Sequence, residues 1–179
     1  RALVQPAPRV ERPEALTQLV ALVHRRAALD VWAVRRQLDD LPREEPAHRV
    51  IADHLVEIPA LDLPDYLARL GAQALRRLAI TPDEALAVGR ENLARRSIKG
   101  LQRVAPGVYR SPWRDHLDAS RLVLRDMIRC CRVRGDHVAL VPHRDTLIVT
   151  GSQDVEGLCR MLELAAEDLK GPRALSGIP

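Results

Sequence analysis

Apolar and polar positions along this chain follow two rhythms, and the change comes near residue 98. Between residues 14 and 40, Leu16, Leu19 or Val20, Val23, Ala27, Val31, Val34 and Leu38 recur every three or four positions, with Leu41 just beyond. That is the period of one helix face. It predicts a long amphipathic helix, interrupted near Asp30 and ended by Asp39-Asp40-Leu41-Pro42. A second helix is expected over 44–58, with Ala47, Val50 or Ile51, Leu55 and Ile58 inward and Pro59 closing it. The run Val50-Ile51-Ala52 could equally begin a strand. A third is expected over 64–79, with Leu67, Leu70, Ala74, Leu75 and Leu78 inward. Thr81-Pro82-Asp83-Glu84 has the form of a reciprocal capping box with proline in the first turn, so a fourth helix should run over 82–97.

From Gly100 the segments shorten. Leu101–Val104 and Val108–Arg110 read as strands around a Pro106-Gly107 turn. Residues 117–131 read as a fifth helix with a wide apolar face, from Leu117 to Cys131. Residues 137–151 form the most apolar run, broken once by Pro142 to Asp145, which predicts two buried strands joined by a tight turn. Ser152 is expected to cap a last helix with Val155, Leu158 or Cys159, Leu162, Ala165 or Ala166 and Leu169 inward; Gly171-Pro172 should end it.

These elements define an α+β class: a mainly helical N-terminal half, and a small antiparallel sheet whose central hairpin packs against helices. The expected organisation is a flexible lead-in at 1–13, a helical region at 14–98, an α/β region with hairpin and C-terminal helix at 99–170, and a frayed tail at 171–179. The linkers are short, so one compact domain is expected.

Composition narrows the classes. The chain has 179 residues, two Trp, two Tyr and no Phe, so its core must be aliphatic. Of its cations only Lys99 and Lys170 are lysines. The formal charge of +4 therefore reads as a coding bias toward arginine and alanine more than as a footprint for an acidic partner. Three cysteines, two of them adjacent, form no disulfide framework and suggest a reducing compartment. No stretch is long and apolar enough to suggest a membrane span, and Arg1–Pro13 has no signal-peptide pattern. The start at an arginine suggests an excerpt.

Three stretches carry a family resemblance. They are Asn92-Leu93, Asp118-Ala119-Ser120-Arg121-Leu122-Val123-Leu124, and Gly135-Asp136 with Val141-Pro142-His143-Arg144-Asp145-Thr146-Leu147-Ile148-Val149-Thr150-Gly151-Ser152. Over roughly residues 81–168 the chain resembles the YtpQ-like family of uncharacterised bacterial proteins. The resemblance implies an α+β domain in a bacterial cytoplasm and carries no established activity.

The candidate site residues are His116, Asp118, Ser120, Arg121, His143, Arg144 and Asp145. Arg144 and Asp145 would sit at the hairpin turn, displayed for a partner or serving backbone amides. Asp115-His116 with Asp118 and Ser120 supplies a carboxylate, an imidazole and a hydroxyl, the components of a hydrolase, but no glycine flanks Ser120 as a nucleophile elbow requires. The plainer expectation is Asp118 as a helix cap. The histidines (His24, His48, His54, His116, His137, His143) lack zinc-helix spacing, so no metal and no cofactor are expected. The doublets Arg25-Arg26, Arg35-Arg36, Arg76-Arg77 and Arg95-Arg96 could meet phosphates, yet no stacking aromatics accompany them, and solvated faces are the simpler expectation. The favoured reading is a non-enzymatic protein-protein interaction or adaptor domain, with the 14–40 helix offering a docking face. Its partner is another protein or a second copy; nucleic acid and membrane are disfavoured. The alternatives are a hydrolase or metal-dependent enzyme built on the His/Asp/Ser cluster, and arginine-mediated nucleic-acid binding.

Overall fold

The computed structural model describes residues 11–38, 46–171 and 174–179. The chain divides into two compact units, Arg1–Arg96 and Ser97–Pro179. Each contains helices and an antiparallel sheet, so the fold is α+β.

The first unit is built on strands where helices were expected. Helix α1 (Arg12–Gln18) ends at Leu19, strand β1 spans Leu19–Arg25, and helix α2 resumes at Ala27–Leu38. The physical reason lies in Leu19-Val20-Ala21-Leu22-Val23. All five are buried, so the segment is covered on both faces, which a strand between sheet neighbour and helix can satisfy and a one-faced helix cannot. Likewise the helix expected over 44–58 gives way to its strand alternative at Val50-Ile51-Ala52, here β2 (Arg49–Ala52), and to β3 (Leu55–Asp62), joined around Asp53-His54. The expected helix at 64–79 becomes β4 (Leu67–Arg69) followed by α3 (Ala72–Arg77). The helix end expected at 39–42 lies outside the described residues.

Strand β3 organises this sheet. One side pairs with β1 from Leu55 to Leu61; the other carries β2 opposite Leu55–Glu57 and β4 opposite Ala60–Asp62. Pro59, expected to stop a helix, lies inside β3 at the gap between these two short partners. A proline cannot donate to a ladder, so it is tolerated where no strand asks for its hydrogen. Its carbonyl still accepts from the Leu70 amide at 2.9 Å, and the Leu70 carbonyl accepts from the Ala47 amide at 3.0 Å.

Helix α4 (Pro82–Arg95) covers the sheet and begins as the sequence indicates: the Glu84 amide donates to Thr81 Oγ1 at 3.3 Å, and the Thr81 amide donates to Glu84 Oε2 at 2.8 Å. Leu86 and Leu93 face the core. Gly89 lets α4 close onto β1, because a Cβ there would lie 2.7 Å from the Ala21 nitrogen. Asn92 Nδ2 ties the α1–β1 junction by donating to the Leu16 and Leu19 carbonyls at 2.8 and 3.0 Å. Glu57 on β3 is fully buried; Arg49 Nη2 donates to its Oε2 at 2.7 Å and Arg90 Nε to its Oε1 at 2.6 Å, with Arg90 Nη2 also on Oε2. Burial nevertheless pushes its carboxyl up to about 7, against the pull of Arg49.

In the second unit the sheet order is β5 (Gln102–Ala105), β6 (Val108–Arg110), β8 (Thr146–Gly151), β7 (His137–His143). The hairpin falls where the apolar pattern places it, with His137 opposite Gly151 and His143 opposite Thr146. The turn itself is Arg144-Asp145; Pro142 belongs to β7, where the register shifts between Leu140 and His143. The expected helix at 117–131 is two short pieces, a 3-10 turn over Ala119–Val123 and α5 (Arg125–Arg129). Helix α6 (Val155–Leu169) packs Met161 and Ala165 against Val108, Leu140 and Ile148. Asp154 caps it, accepting from the Gly157 amide at 3.0 Å, while Ser152 Oγ accepts from the Asp136 amide at 2.9 Å. The tail expected to fray instead lies along β7: the Leu175 amide donates to the Pro142 carbonyl at 2.8 Å and the Ser176 amide to the Val141 carbonyl at 3.1 Å, with both residues buried.

Candidate functional site

All seven candidate residues fall in the second unit, where the segment 111–121 meets the β7–β8 turn. The Ala119 amide donates to the Arg144 carbonyl at 3.1 Å and the Ser111 amide to the Leu147 carbonyl at 2.9 Å, which docks the segment on the hairpin. Two of its residues carry left-handed backbone without being glycine, Arg114 (φ 53°) and His116 (φ 67°). Such conformations persist only when surrounding contacts fix them.

The fixing contact is a buried arginine. Arg121 has no exposed surface, and its guanidinium donates twice to Asp115, at 2.8 and 2.7 Å. Its Nε donates to Ser97 Oγ at 2.8 Å, and its carbon lies 4.0 Å from the Trp113 ring centroid. A fork-to-carboxylate pair with an aromatic face is an arrangement that only arginine completes. Arg121 is therefore an internal strut and not a displayed cation. Burial pushes up on the Asp115 carboxyl, but the two Arg121 bonds outweigh it and hold the group below its ordinary range.

Asp118 is also buried and caps nothing: its side chain makes no cap bond to the 3-10 turn and instead accepts from the Asp115 amide at 3.2 Å. Its Oδ1 lacks a hydrogen-bond partner of good geometry. Burial raises this carboxyl above its ordinary range; the Ser111 hydroxyl and Arg114 amide pull the other way, and the Asp115 charge adds to the rise. Ser120 is 1% exposed, which withholds its hydroxyl from any solvent-borne substrate.

The structure does bring His116, Asp145 and His143 together. His116 Nδ1 lies 2.9 Å from Asp145 Oδ1, and His143 Nδ1 lies 3.6 Å from Asp145 Oδ2. The Asp145 amide donates to His143 Nδ1 at 3.1 Å, so that nitrogen is an acceptor, and in the neutral ring the proton sits on Nε2. Asp145 thus orients an imidazole instead of turn amides. The histidine of this pair belongs with Asp145 and not with Asp118 or Ser120, so a Ser-His-Asp relay is not assembled. Among the described residues no group of three His, Cys, Asp or Glu side chains has the arrangement to hold a metal ion. Cys131 fills the core, and burial pushes its thiol up to about 11, whereas Cys130 and Cys159 are exposed.

The arginine doublets are partly committed within the first unit. Arg96 pairs with Asp62 at 2.5 Å, Arg95 with Glu91 at 3.5 Å, and Arg36 lies 4.8 Å from the Trp32 ring centroid.

Two helices, one in each unit, expose apolar stripes that the folded core does not use. On α2, Ala27, Val31, Val34 and Leu38 are all exposed, Leu38 to 69%. On α6, Val155, Cys159, Leu162, Ala166 and Leu169 are all exposed, Val155 to 73% and Leu162 to 54%. Both stripes alternate steps of four and three residues, the spacing of a coiled-coil seam. The sequence assigned Val155, Leu162 and Leu169 to the inner face of the last helix. The structure gives that face to Gly157, Met161 and Ala165.

No family model matches the chain, and no curated protein or solved structure matches it either. Among the described residues no helix is long and apolar enough to cross a membrane.

Proposed function

We propose that this chain is a non-enzymatic protein-interaction domain, of the cytoplasmic bacterial kind implied by its resemblance to YtpQ-like proteins. The observation that supports this reading most is the outward apolar stripe on each of α2 and α6. A stripe of spacing four-three-four on a short surface helix fits the apolar face of another helix, whose side chains seat between those of the stripe. Leaving such residues in water forgoes roughly 1.5–3 kcal/mol for each large side chain that could be buried, so a partner gains by covering them. The candidate polar residues support the same reading from the other side. Arg121 is spent on holding the 111–121 segment through Asp115, and Asp118 and Ser120 are buried, so none of the three is presented to a substrate.

The test is retention of a partner by the immobilised chain. Wild type is compared with Val34→Glu and Leu162→Glu, both at exposed sites where folding should be unaffected. A partner held by wild type and lost from either variant supports the reading. Identical retention by all three chains refutes it.

A further inference from the structure

We infer that the second unit binds single-stranded nucleic acid on the sheet face opposite α6, through Arg103, Arg129, Arg132 and Arg134 around the ring of Tyr109. The inference goes beyond the interaction reading and uses neither apolar stripe.

The two faces of this sheet treat their cations differently. On the α6 side Arg110 pairs with Asp168 at 2.9 Å, Arg160 with Glu163 at 2.8 Å and Lys170 with Glu167 at 2.8 Å. On the other side Arg103, Arg132 and Arg134 are exposed, and none of the three forms an ion pair among the described residues. Arg129 meets Asp126 only at 3.4 Å with both side chains in solvent, a pair that holds its cation weakly. Coding bias can set arginine over lysine throughout a chain. It cannot sort paired cations to one face and unpaired ones to the other.

The register puts Arg103 opposite Tyr109 and Tyr109 opposite Val149, so these side chains share one face. Helix α6 packs on the alternate positions Val108, Leu140 and Ile148, which belong to the other. The loop after α5 is tied to the Tyr109 face. His137 Nε2 donates to the Cys131 carbonyl at 3.0 Å. Tyr109 Oη accepts from the Arg132 amide at 3.1 Å and donates to the Arg132 carbonyl at 3.2 Å. The Gln153 amide donates to the Arg134 carbonyl at 3.0 Å, and a Cβ on Gly151 would lie 2.6 Å from the Arg134 nitrogen. Backbone contacts therefore hold Arg132 and Arg134 beside Tyr109 while both residues stay exposed, and Arg129 ends α5 just before them. A cationic surface with a fixed backbone loses little freedom when a ligand arrives.

Guanidinium forks match phosphate oxygens. Tyr109 narrows the ligand further. Its hydroxyl is engaged in both directions by Arg132, so what it has to offer is its half-buried ring. An aromatic ring among arginines is a platform for an unstacked base, and an acidic protein surface has nothing to lay on it. Helix α5, at five residues, is too short to read a duplex groove, which favours a single strand. Four phosphate contacts give a salt slope near about −3 for a single strand. Affinity should then fall about 50-fold between roughly 50 and 200 mM salt, from a dissociation constant on the order of 1–10 μM at the lower value.

The experiment is fluorescence anisotropy of a labelled mixed-sequence RNA of about 12 nucleotides, and of the DNA of the same sequence, titrated with the full chain. Wild type should bind at least one of them with that slope. Arg132→Gln combined with Arg134→Gln should weaken binding at least about tenfold at the lower salt and make the slope shallower by about 1.4, whereas Arg160→Gln on the α6 side should change neither. Tyr109→Leu should weaken binding about tenfold with the slope kept. Tyr109→Phe drops the same two hydrogen bonds but keeps the ring, so it should stay within about twofold of wild type. Circular dichroism checks that each variant is folded. The inference is overturned by any of these results: no binding at the lower salt, loop-arginine variants that bind as wild type does, Arg160→Gln costing as much as the loop pair, or Tyr109→Leu binding as well as Tyr109→Phe. Displacement by polyglutamate as effective as by unlabelled oligonucleotide also overturns it, and would make this face a dock for an acidic protein.

Discussion

Arg121 and Asp115 form one ion pair with unequal surroundings, and the asymmetry yields a quantitative test. Arg121 has no exposed surface, whereas the Asp115 side chain is 37% exposed. Removing one partner of a buried pair costs about 3–5 kcal/mol, chiefly because the survivor is left charged and dry. Arg121→Met keeps most of the stem volume and leaves a carboxylate that water can reach, so its cost should fall below that range, at about 2–3 kcal/mol. That figure includes about 1 kcal/mol for the lost contact with the Trp113 face. Asp115→Ala leaves the buried guanidinium with Ser97 Oγ, the ring and the charge of nearby Asp118, without its two-bond partner, so it should cost more than Arg121→Met, about 3–5 kcal/mol. The assay is urea unfolding followed by Trp113 fluorescence in a Trp32→Phe background, which reports the second unit alone; a chain of two units need not unfold in one step. With a slope near ~1 kcal/mol per molar for a unit of this size, Arg121→Met should lower the midpoint by about 2 M. A shift under ~1 kcal/mol, or Arg121→Met proving costlier than Asp115→Ala, would refute the claim that the arginine is the desolvated member holding this loop.

Glu57 gives a pH dependence with a definite sign. Its carboxyl is raised in the folded chain, so the folded state favours the protonated form, and its contribution is complete below about 4.5 and lost as pH climbs through about 7. The first unit should lose up to ~3 kcal/mol over that window, read from exchange protection of β3 amides. Glu57→Gln should flatten the slope, and an unchanged slope would assign the dependence elsewhere. Gly89→Ala should destabilise the first unit by at least ~2 kcal/mol, because the added methyl meets β1 backbone, which cannot swing aside as a side chain could. A thermal melt indistinguishable from wild type would show that α4 has room to retreat.

Sequence pattern located the hairpin, the capping box and the strands around Gly107 because each depends on neighbours a few residues apart. It misread Leu19–Val23, since a run apolar at every position satisfies both the helical and the strand period. It misread α6 for a related reason. Leu158, Met161 and Ala165 form one apolar stripe and Val155, Leu162 and Leu169 another, and periodicity cannot say which of two adjoining stripes meets the sheet. At the candidate site His116 and Asp145 were both legible as polar residues near turns. Their contact spans 29 positions and depends on left-handed backbone at Arg114 and His116, where no glycine advertises it. Arg121 stands in the sequence only as one of the candidate binding residues. A lone arginine between Leu117 and Leu124, six residues after an aspartate, was the available sign of burial, and Trp113 and Ser97 had no local signal at all.

The proline within β3 has a consequence for the chain's solubility. Because Pro59 cannot donate, the flank of the sheet it faces is shared by β2, of four residues, and β4, of three, with a discontinuity between them. An edge cut into pieces that short offers no continuous row of amides and carbonyls for a stranger's strand to copy. A residue often regarded as a flaw in a strand here keeps that flank of the sheet from serving as a template for fibrous growth.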